Sequence, residues 1–312
     1  MKRKYIAAAV MLLVLLFSGC AAADREPSYG VDTMRISAIL PHNDYGYWTF
    51  VADGMHEADK RLPVDVKVHL PDLNYNVALM TELIEQEIAA QVDALIVQGI
   101  EDPAYIAALE KARTQGIQVV LVDTDLSSFQ ADLYVGTDNY AAGVEMGKRL
   151  VEVTGGRANV AVLSGSPEYP NLEERIQGIR NVTAAYPEVQ ILRVEYDQYD
   201  AMTVMEKYYV ILRESPEIDT LVAIEGTGGQ TLGQLTSTGF DHVLVFDDTV
   251  ETIRGLKKGL FDGIIGQQNY EMGMICVEEL YKWFTTGTFT ADKIHTPVNW
   301  ITLESLEETH EE

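Results

Sequence analysis

The sequence predicts an α/β protein made of two doubly wound parallel-sheet domains, and three observations carry that expectation. From residue 35 onward, short β-rich runs alternate with longer stretches of helical period, the pattern of βαβ units. The 312 residues, less a leader over residues 1–20, suit two domains of ordinary size. Several apolar runs end in a polar residue (Gln98, Asp123, Glu225, Asp247, Gln267), as strands do where a parallel sheet opens on a cleft.

The leader comes first along the chain. Lys2, Arg3 and Lys4 precede the apolar run Ile6 to Phe17, which is too short to span a bilayer, and Ser18-Gly19-Cys20 places small residues before a cysteine. This reads as a secretory lipoprotein signal. Its resemblance to the bacterial lipobox implies cleavage before Cys20 and acylation of that thiol, with residues 21–33 as a tether.

Strands are expected at Ile36–Leu40, Val64–Leu70, Ala94–Gln98, Gln118–Asp123, Leu133–Gly136, Asn159–Ser164, Gln190–Tyr196, Thr220–Glu225, His242–Phe246 and Gly263–Gln267. The intervening helices are Tyr47–Arg61, Asn76–Ala90, Pro103–Thr114, Tyr140–Thr154, Leu172–Ala185, Ala201–Glu214 and Thr249–Lys258. In the second of these, Val77, Met80, Leu83, Ile84 and Ile88 recur at three and four residues and form one buried stripe. The first β/α series gives way to the second near Thr137–Asp138 without a Pro- or Gly-rich linker, which fits domains joined by several crossings of the chain.

A formal charge of −25 argues against nucleic acid and against electrostatic adhesion to anionic lipid. The end of the chain, Glu304 to Glu312, reads as a solvated acidic tail. With Cys20 acylated, Cys276 has no disulfide partner, and its apolar helical setting means packing. His42, His56, His69, His242, His295 and His310 are dispersed, so neither a metal nor a cofactor is expected. Ser164-Gly165-Ser166 is not a nucleophile elbow, and no enzyme is expected. Gly226-Thr227-Gly228-Gly229 matches no phosphate-binding fingerprint; it reads as a close backbone approach beside a ligand or as a turn into a helix.

The polar strand ends form a ring of carboxylates and amides suited to hydrogen-bonding hydroxyl groups. Tyr45, Tyr47 and Trp48 follow the first strand and offer faces for the C–H side of a sugar ring, with core packing as the alternative for Trp48. Arg175 offers a fork of donors for two adjacent ligand oxygens, or else a surface salt bridge to a neighbour such as Glu174.

Taken in order, Ala94-Leu-Ile-Val-Gln-Gly-Ile-Glu-Asp-Pro103, Val119 to Asp123, Gly136 to Asn139, Gly165 to Arg175, Val245 to Asp247 and Ile264 to Gln267 resemble segments of bacterial ribose- and galactose-type periplasmic sugar-binding proteins. The resemblance spans residues 34–303. It implies the type I periplasmic binding protein fold, with two domains joined by a three-crossing hinge: 34–137 plus 268–296, and 138–267 plus 297–312. It also implies a helix near Glu271–Thr286, followed by a return through Val298–Leu303 to the second domain. Ligand contacts are implied at Tyr47, Trp48, Gln98, Asp123, Arg175, Glu225, Asp247 and Gln267, with Tyr45, Tyr169 and Asn171 nearby.

Three departures stand out. Thr124 follows Asp123 where ribose-type members carry arginine, Glu225 replaces an asparagine, and no acidic calcium loop is visible. If Asp123 and Glu225 both ionise, the pocket becomes more negative, which favours a polyol or a cationic, amino-sugar-like ligand over an acidic sugar.

The function implied is that of a lipid-anchored, monomeric solute-binding protein outside the cytoplasm. It would close on a sugar by bending near Thr137, Gln267 and Pro297 and deliver it to an ABC-type permease. The alternative is a receptor subunit that reports closure to a membrane histidine kinase or chemoreceptor. Arg175→Ala and Asp247→Ala are each expected to weaken binding without unfolding the protein.

Overall fold

A computed structural model describes residues 33–42, 46–72 and 75–308. The leader, Cys20, Tyr45 and the last four residues lie outside the described residues, as does all of the tether but Thr33. Among the described residues, twelve strands form two six-stranded sheets of matching order.

The first sheet contains β1 (Met34–Ile39), β2 (Val64–His69), β3 (Ala94–Gln98), β4 (Gln118–Val122), β5 (Leu133–Thr137) and β11 (Lys293–Thr296). Its order is β11-β5-β4-β3-β1-β2, and every pair is parallel. The second sheet contains β6 (Ala158–Ser164), β7 (Val189–Tyr196), β8 (Thr220–Ala223), β9 (His242–Phe246), β10 (Gly263–Gln267) and β12 (Val298–Ile301), in the order β12-β10-β9-β8-β6-β7. Only β12 runs antiparallel to its neighbour.

The helices are α1 (Tyr47–Arg61), α2 (Val77–Ala89), α3 (Pro103–Thr114), α4 (Asn139–Val153), α5 (Pro170–Thr183), α6 (Ala201–Glu214), α7 (Gly226–Gly233), α8 (Val250–Lys257), α9 (Asn269–Thr286) and α10 (Leu303–Glu308). Several begin at a side-chain cap that satisfies the free backbone N–H groups of a first turn. Asn76 accepts from Leu79 N, Asp138 from Ala141 N, Asp200 from Thr203 N, and Asp102 from Ala104 N and Tyr105 N directly before Pro103. The glycine-rich run at 226–229 is the first turn of α7, capped by Glu225.

The inner strands are largely buried on both faces, as helix-covered parallel sheets require, while the edge strands β2, β7 and β11 carry exposed residues. β3, β5, β8 and β10 have no exposed residue. Cys276 is fully buried in the core between α1, α9 and the first sheet, and burial pushes its thiol pKa up.

The chain passes between the sheets three times: after Thr137 at the end of β5, after Gln267 at the end of β10, and at Pro297, the single residue between β11 and β12. β5 and β11 form one edge of the first sheet, and β10 and β12 form the corresponding edge of the second, so all three crossings lie on that side. Thr137 Oγ1 donates to Gln267 Oε1 at 2.7 Å, which ties two crossings together. At the opposite edges, β2 and β7 occupy equivalent positions.

Two helix pairs approach each other through glycine. A Cβ at Gly54 in α1 would collide with the carbonyl oxygen of Tyr270 in α9, and one at Gly273 in α9 would collide with that of Val51 in α1. In the second lobe, a Cβ at Gly143 in α4 would fall on the backbone of Arg175 in α5.

Candidate functional site

The C-terminal strand ends of both sheets face a cavity of about 340 Å³, near the lower end of the roughly 300–1,000 Å³ typical of small-molecule sites. The first lobe lines it with His42, Tyr47, Trp48, Tyr75, Gln98 and Asp123. The second contributes Asn171, Arg175 and Tyr199, the α7 N-terminus from Glu225 to Thr227, and Gln230, Asp247 and Gln267.

Gln98 closes β3 and Gln267 closes β10, while Asp123 and Asp247 are the first residues after β4 and β9. These two aspartates are geometric counterparts. Each has φ of 68°, a left-handed conformation that aspartate tolerates better than most residues, and it turns the side chain off the strand. Each is pinned through its own carbonyl: Tyr134 Oη donates to Asp123 O at 2.9 Å and Thr252 Oγ1 to Asp247 O at 2.6 Å.

Asp123 is held by neutral donors. Tyr47 Oη donates to Oδ1 at 2.6 Å, and Oδ2 accepts from Gln98 Nε2 at 3.0 Å, Thr124 Oγ1 at 2.7 Å and Asn171 Nδ2 at 3.5 Å. The fully buried Thr124 thus supplies a donor to the carboxylate. Burial, followed by the charge of Asp123, raises the Tyr47 pKa, so the phenol keeps its proton and donates it. Gln98 Oε1 and Asn171 Oδ1 are buried acceptors with no hydrogen-bond partner among the described residues. Both residues line the cavity.

Arg175 is 2% exposed, so the surface salt bridge weighed from the sequence is not its role. Its Nε donates to Asn139 Oδ1 at 2.9 Å, one terminal nitrogen to Ile224 O at 2.8 Å, and the other to Gln267 Oε1 at 3.0 Å. The guanidinium lies 4.4 Å from the centroid of the Phe246 ring. Gln267 in turn donates to Asp247 Oδ1 at 2.7 Å. Burial pushes the Asp247 pKa up to about 7, opposed by the positive charge of Arg175 and by the Gln267 bond.

Glu225 lines the cavity and has a second part in the fold. Its carboxylate caps α7, accepting from Thr227 N at 2.8 Å and from Gly228 N. Beside it is Asp197, fully buried in the turn after β7 and unremarked in the sequence. Burial, then the adjacent Glu225 charge, pushes the Asp197 pKa up to about 9, and burial also raises that of Glu225. Near neutrality Asp197 therefore keeps its proton, and the Glu225 carboxyl beside it is engaged by the helix cap.

A carboxyl group whose pKa rises on folding favours the folded state while protonated, so its contribution is lost as pH rises above the unfolded value. For Asp197 the window runs from about pH 4 to about pH 9. Asp197→Asn keeps the acceptor for Tyr199 N, bonded at 2.9 Å, and adds an N–H toward Glu225. Denaturant unfolding at pH 6 and pH 8 should show the variant gaining about 2 kcal/mol on the wild type between the two pH values. Parallel pH profiles would mean that Asp197 ionises normally.

Tyr47, Trp48, Gln98, Asp123, Asn171, Arg175, Glu225, Asp247 and Gln267, all singled out from the sequence, meet at this cavity. Trp48 serves the core and the cavity wall together. Tyr169 does not line the cavity; it stands edge-on to Tyr75 and Tyr199. Sequence reasoning missed His42, Tyr75, Tyr199 and Gln230, which lie on turns or on the glycine-rich helix and follow no periodic pattern.

Residues 36–285 match the family described as periplasmic binding protein domain. The chain belongs to the periplasmic binding protein family. It is 27% identical over 229 residues to the ribose import binding protein RbsB of Bacillus subtilis (strain 168), covering 71% of this chain and 72% of that protein. It is 24% identical over 254 residues to a xylitol-binding protein of Mycolicibacterium smegmatis, covering 79% and 70%. The crystal structure of GanP, a glucose-galactose binding protein from Geobacillus stearothermophilus, aligns with a TM-score of 0.82 at 26% identity, covering 88% of this chain and 99% of that one. The two sheets are therefore those of the type I periplasmic binding protein fold, and the family implies an extracytoplasmic location.

Proposed function

We propose that this periplasmic binding protein is anchored through Cys20, traps a single neutral sugar or polyol between its lobes, and delivers it to an ABC-type permease. The observation that carries this reading is the cavity itself. Its wall carries the carboxyl groups of Asp123 and Asp247 and the amides of Gln98 and Asn171, residue types suited to hydroxyls, with the aromatic side chains of Tyr47, Trp48, Tyr75 and Tyr199 beside them. Relatives whose names give ribose import and xylitol binding support both the ligand class and the transport role. Residues 34–137 with 268–296 move as one body and 138–267 with 297–312 as the other, bending at the three crossings. With the Asp197–Glu225 pair holding a proton, the pocket suits neutral polyhydroxy compounds at least as well as cationic sugars, and it disfavours acidic ones.

A thermal-shift screen over pentoses, hexoses, polyols, amino sugars, nucleosides and sugar acids tests the reading. At a hundred times Kd, a true ligand stabilises by about 2.7 kcal/mol, which for a protein of this size is a rise in Tm of about 5 °C or more. A neutral sugar or polyol should give it. Selective stabilisation by sugar acids would sink the proposed ligand class. Loss of labelled-solute uptake in cells lacking the chain tests delivery to a permease, and unchanged uptake would refute it.

A further inference from the structure

We infer that Tyr75 and Tyr199 form a clasp that joins the two lobes at the edge opposite the hinge and positions them for solute retention. Tyr75 lies in the turn between β2 and α2, and Tyr199 lies in the turn between β7 and α6. β2 and β7 are the equivalent edge strands of the two sheets, farthest from the strands that carry the crossings. The two rings stack across the cleft, with centroids 4.3 Å apart and an interplanar angle of 17°. Tyr169 meets both edge-on, 5.7 Å from Tyr75 and 5.2 Å from Tyr199.

Each partner is built into place. Tyr75 N donates to Pro41 O at 3.2 Å, and Trp48 Nε1 donates to Tyr75 Oη at 3.2 Å, tying the ring to a side chain of the cavity wall. Tyr199 N donates to the buried Asp197 carboxyl, and Gly165 leaves the space its ring occupies, since a Cβ there would collide with that ring. Both tyrosines have left-handed backbones, φ 46° and 56°, a conformation uncommon for aromatic residues that their surroundings must over-determine. Both line the cavity. Since the rings come from different lobes, opening the cleft parts them. The stack thus favours the closed form whether or not a solute is present, and it raises apparent affinity by enlarging the closed fraction.

This inference rests on the reading of the cleft as a solute trap, but its first test needs no solute. Small-angle scattering of the ligand-free whole chain should show Tyr75→Ala and Tyr199→Ala shifted toward an open form relative to wild type. Tyr199→Phe, which keeps the stack, should match wild type, and the double alanine variant should go no further than either single one. With D-ribose or xylitol as probe, dissociation should quicken about two- to tenfold in the alanine variants while association changes little. Tyr75→Leu, which keeps apolar bulk without a stacking face, replaces an alanine variant that does not fold and should behave as the alanine would. Ligand-free scattering that is identical for wild type and variants, or additive effects of the two alanines, would overturn the clasp. Failure of every compound in the screen to bind the wild type would instead overturn the solute reading, and the ligand-free scattering would still decide the clasp.

Discussion

Arg175→Ala should cost about 3–5 kcal/mol of stability and abolish solute binding, because it removes a buried cation from the centre of an already complete network. Asn139 Oδ1 and the Ile224 carbonyl lose the Arg175 donor, and Gln267 Oε1 is left with Thr137 Oγ1 alone. Each is buried, so none exchanges its lost partner for bulk water. Asp247 also loses the positive charge that opposes its burial, so its pKa climbs further and a cleft carboxylate is neutralised. From the sequence, this substitution was expected to weaken binding without unfolding the protein. The network makes Arg175 a fastener between the second lobe and the crossing at Gln267 as well as a wall of the site. Arg175→Lys should rescue little, since an ammonium lacks the planar fork that reaches three acceptors in different directions. Urea unfolding with calorimetric titration of the best solute measures both effects. A variant that unfolds at the wild-type urea concentration would show that the network contributes nothing.

Gly54→Val should destabilise the first lobe by about 3 kcal/mol, more than Gly54→Ala, and should weaken binding from a distance. The added carbon meets the Tyr270 carbonyl, and a backbone carbonyl cannot rotate aside as a side chain would. The reciprocal contact of Gly273 with Val51 gives α1 and α9 no room to slide. Relief therefore comes from splaying the two helices. α1 begins with Tyr47 and Trp48, and Tyr47 Oη also touches Met272 Sδ of α9 at 3.6 Å, so splaying pulls the phenol away from Asp123. Urea unfolding and solute titration of both variants test this. Equal midpoints for Val, Ala and wild type would show that the helices adjust freely.

The parts of this architecture legible in the sequence are those with a local physical cause. Helices α1, α3 and α6 match expectation residue for residue. α3 and α6 start at an aspartate cap and α3 also at a proline, signals that lie within four residues of chain. The strand-end residues Gln98, Asp123, Asp247 and Gln267 were readable because a polar group ending an apolar run is conspicuous. The sequence alone leaves α7 as one of two alternatives because Gly-Thr-Gly-Gly has poor helix propensity; the Glu225 cap and tertiary packing override it. The four-residue strands β11 and β12 are too short to show a period, and β11 was not anticipated. Asp197 sits in a Tyr-Asp-Gln-Tyr-Asp run that reads as a polar turn, and only the fold places Glu225 beside it. The partners of Arg175 come from α4, from the residue after β8 and from the end of β10, a meeting that no spacing in the chain encodes.

The placement of crossings at one edge and stacked tyrosines at the other also has a mechanical meaning. Pro297 is the only residue between β11 and β12, and one residue spans at most about 3.6 Å, so the lobes are leashed and their freedom is angular. Four strand spacings separate β5 from β2, a lever arm of about 19 Å. On that arm, parting two rings by about 1 Å takes a turn of only about 3°, and dispersion contact fades over a gap of that size. The aromatic stack therefore works as a detent: it converts a soft rotation into two distinguishable angles. Under the proposed delivery to a permease, the membrane partner would meet a shape with a definite closed setting rather than a continuum of partly shut ones.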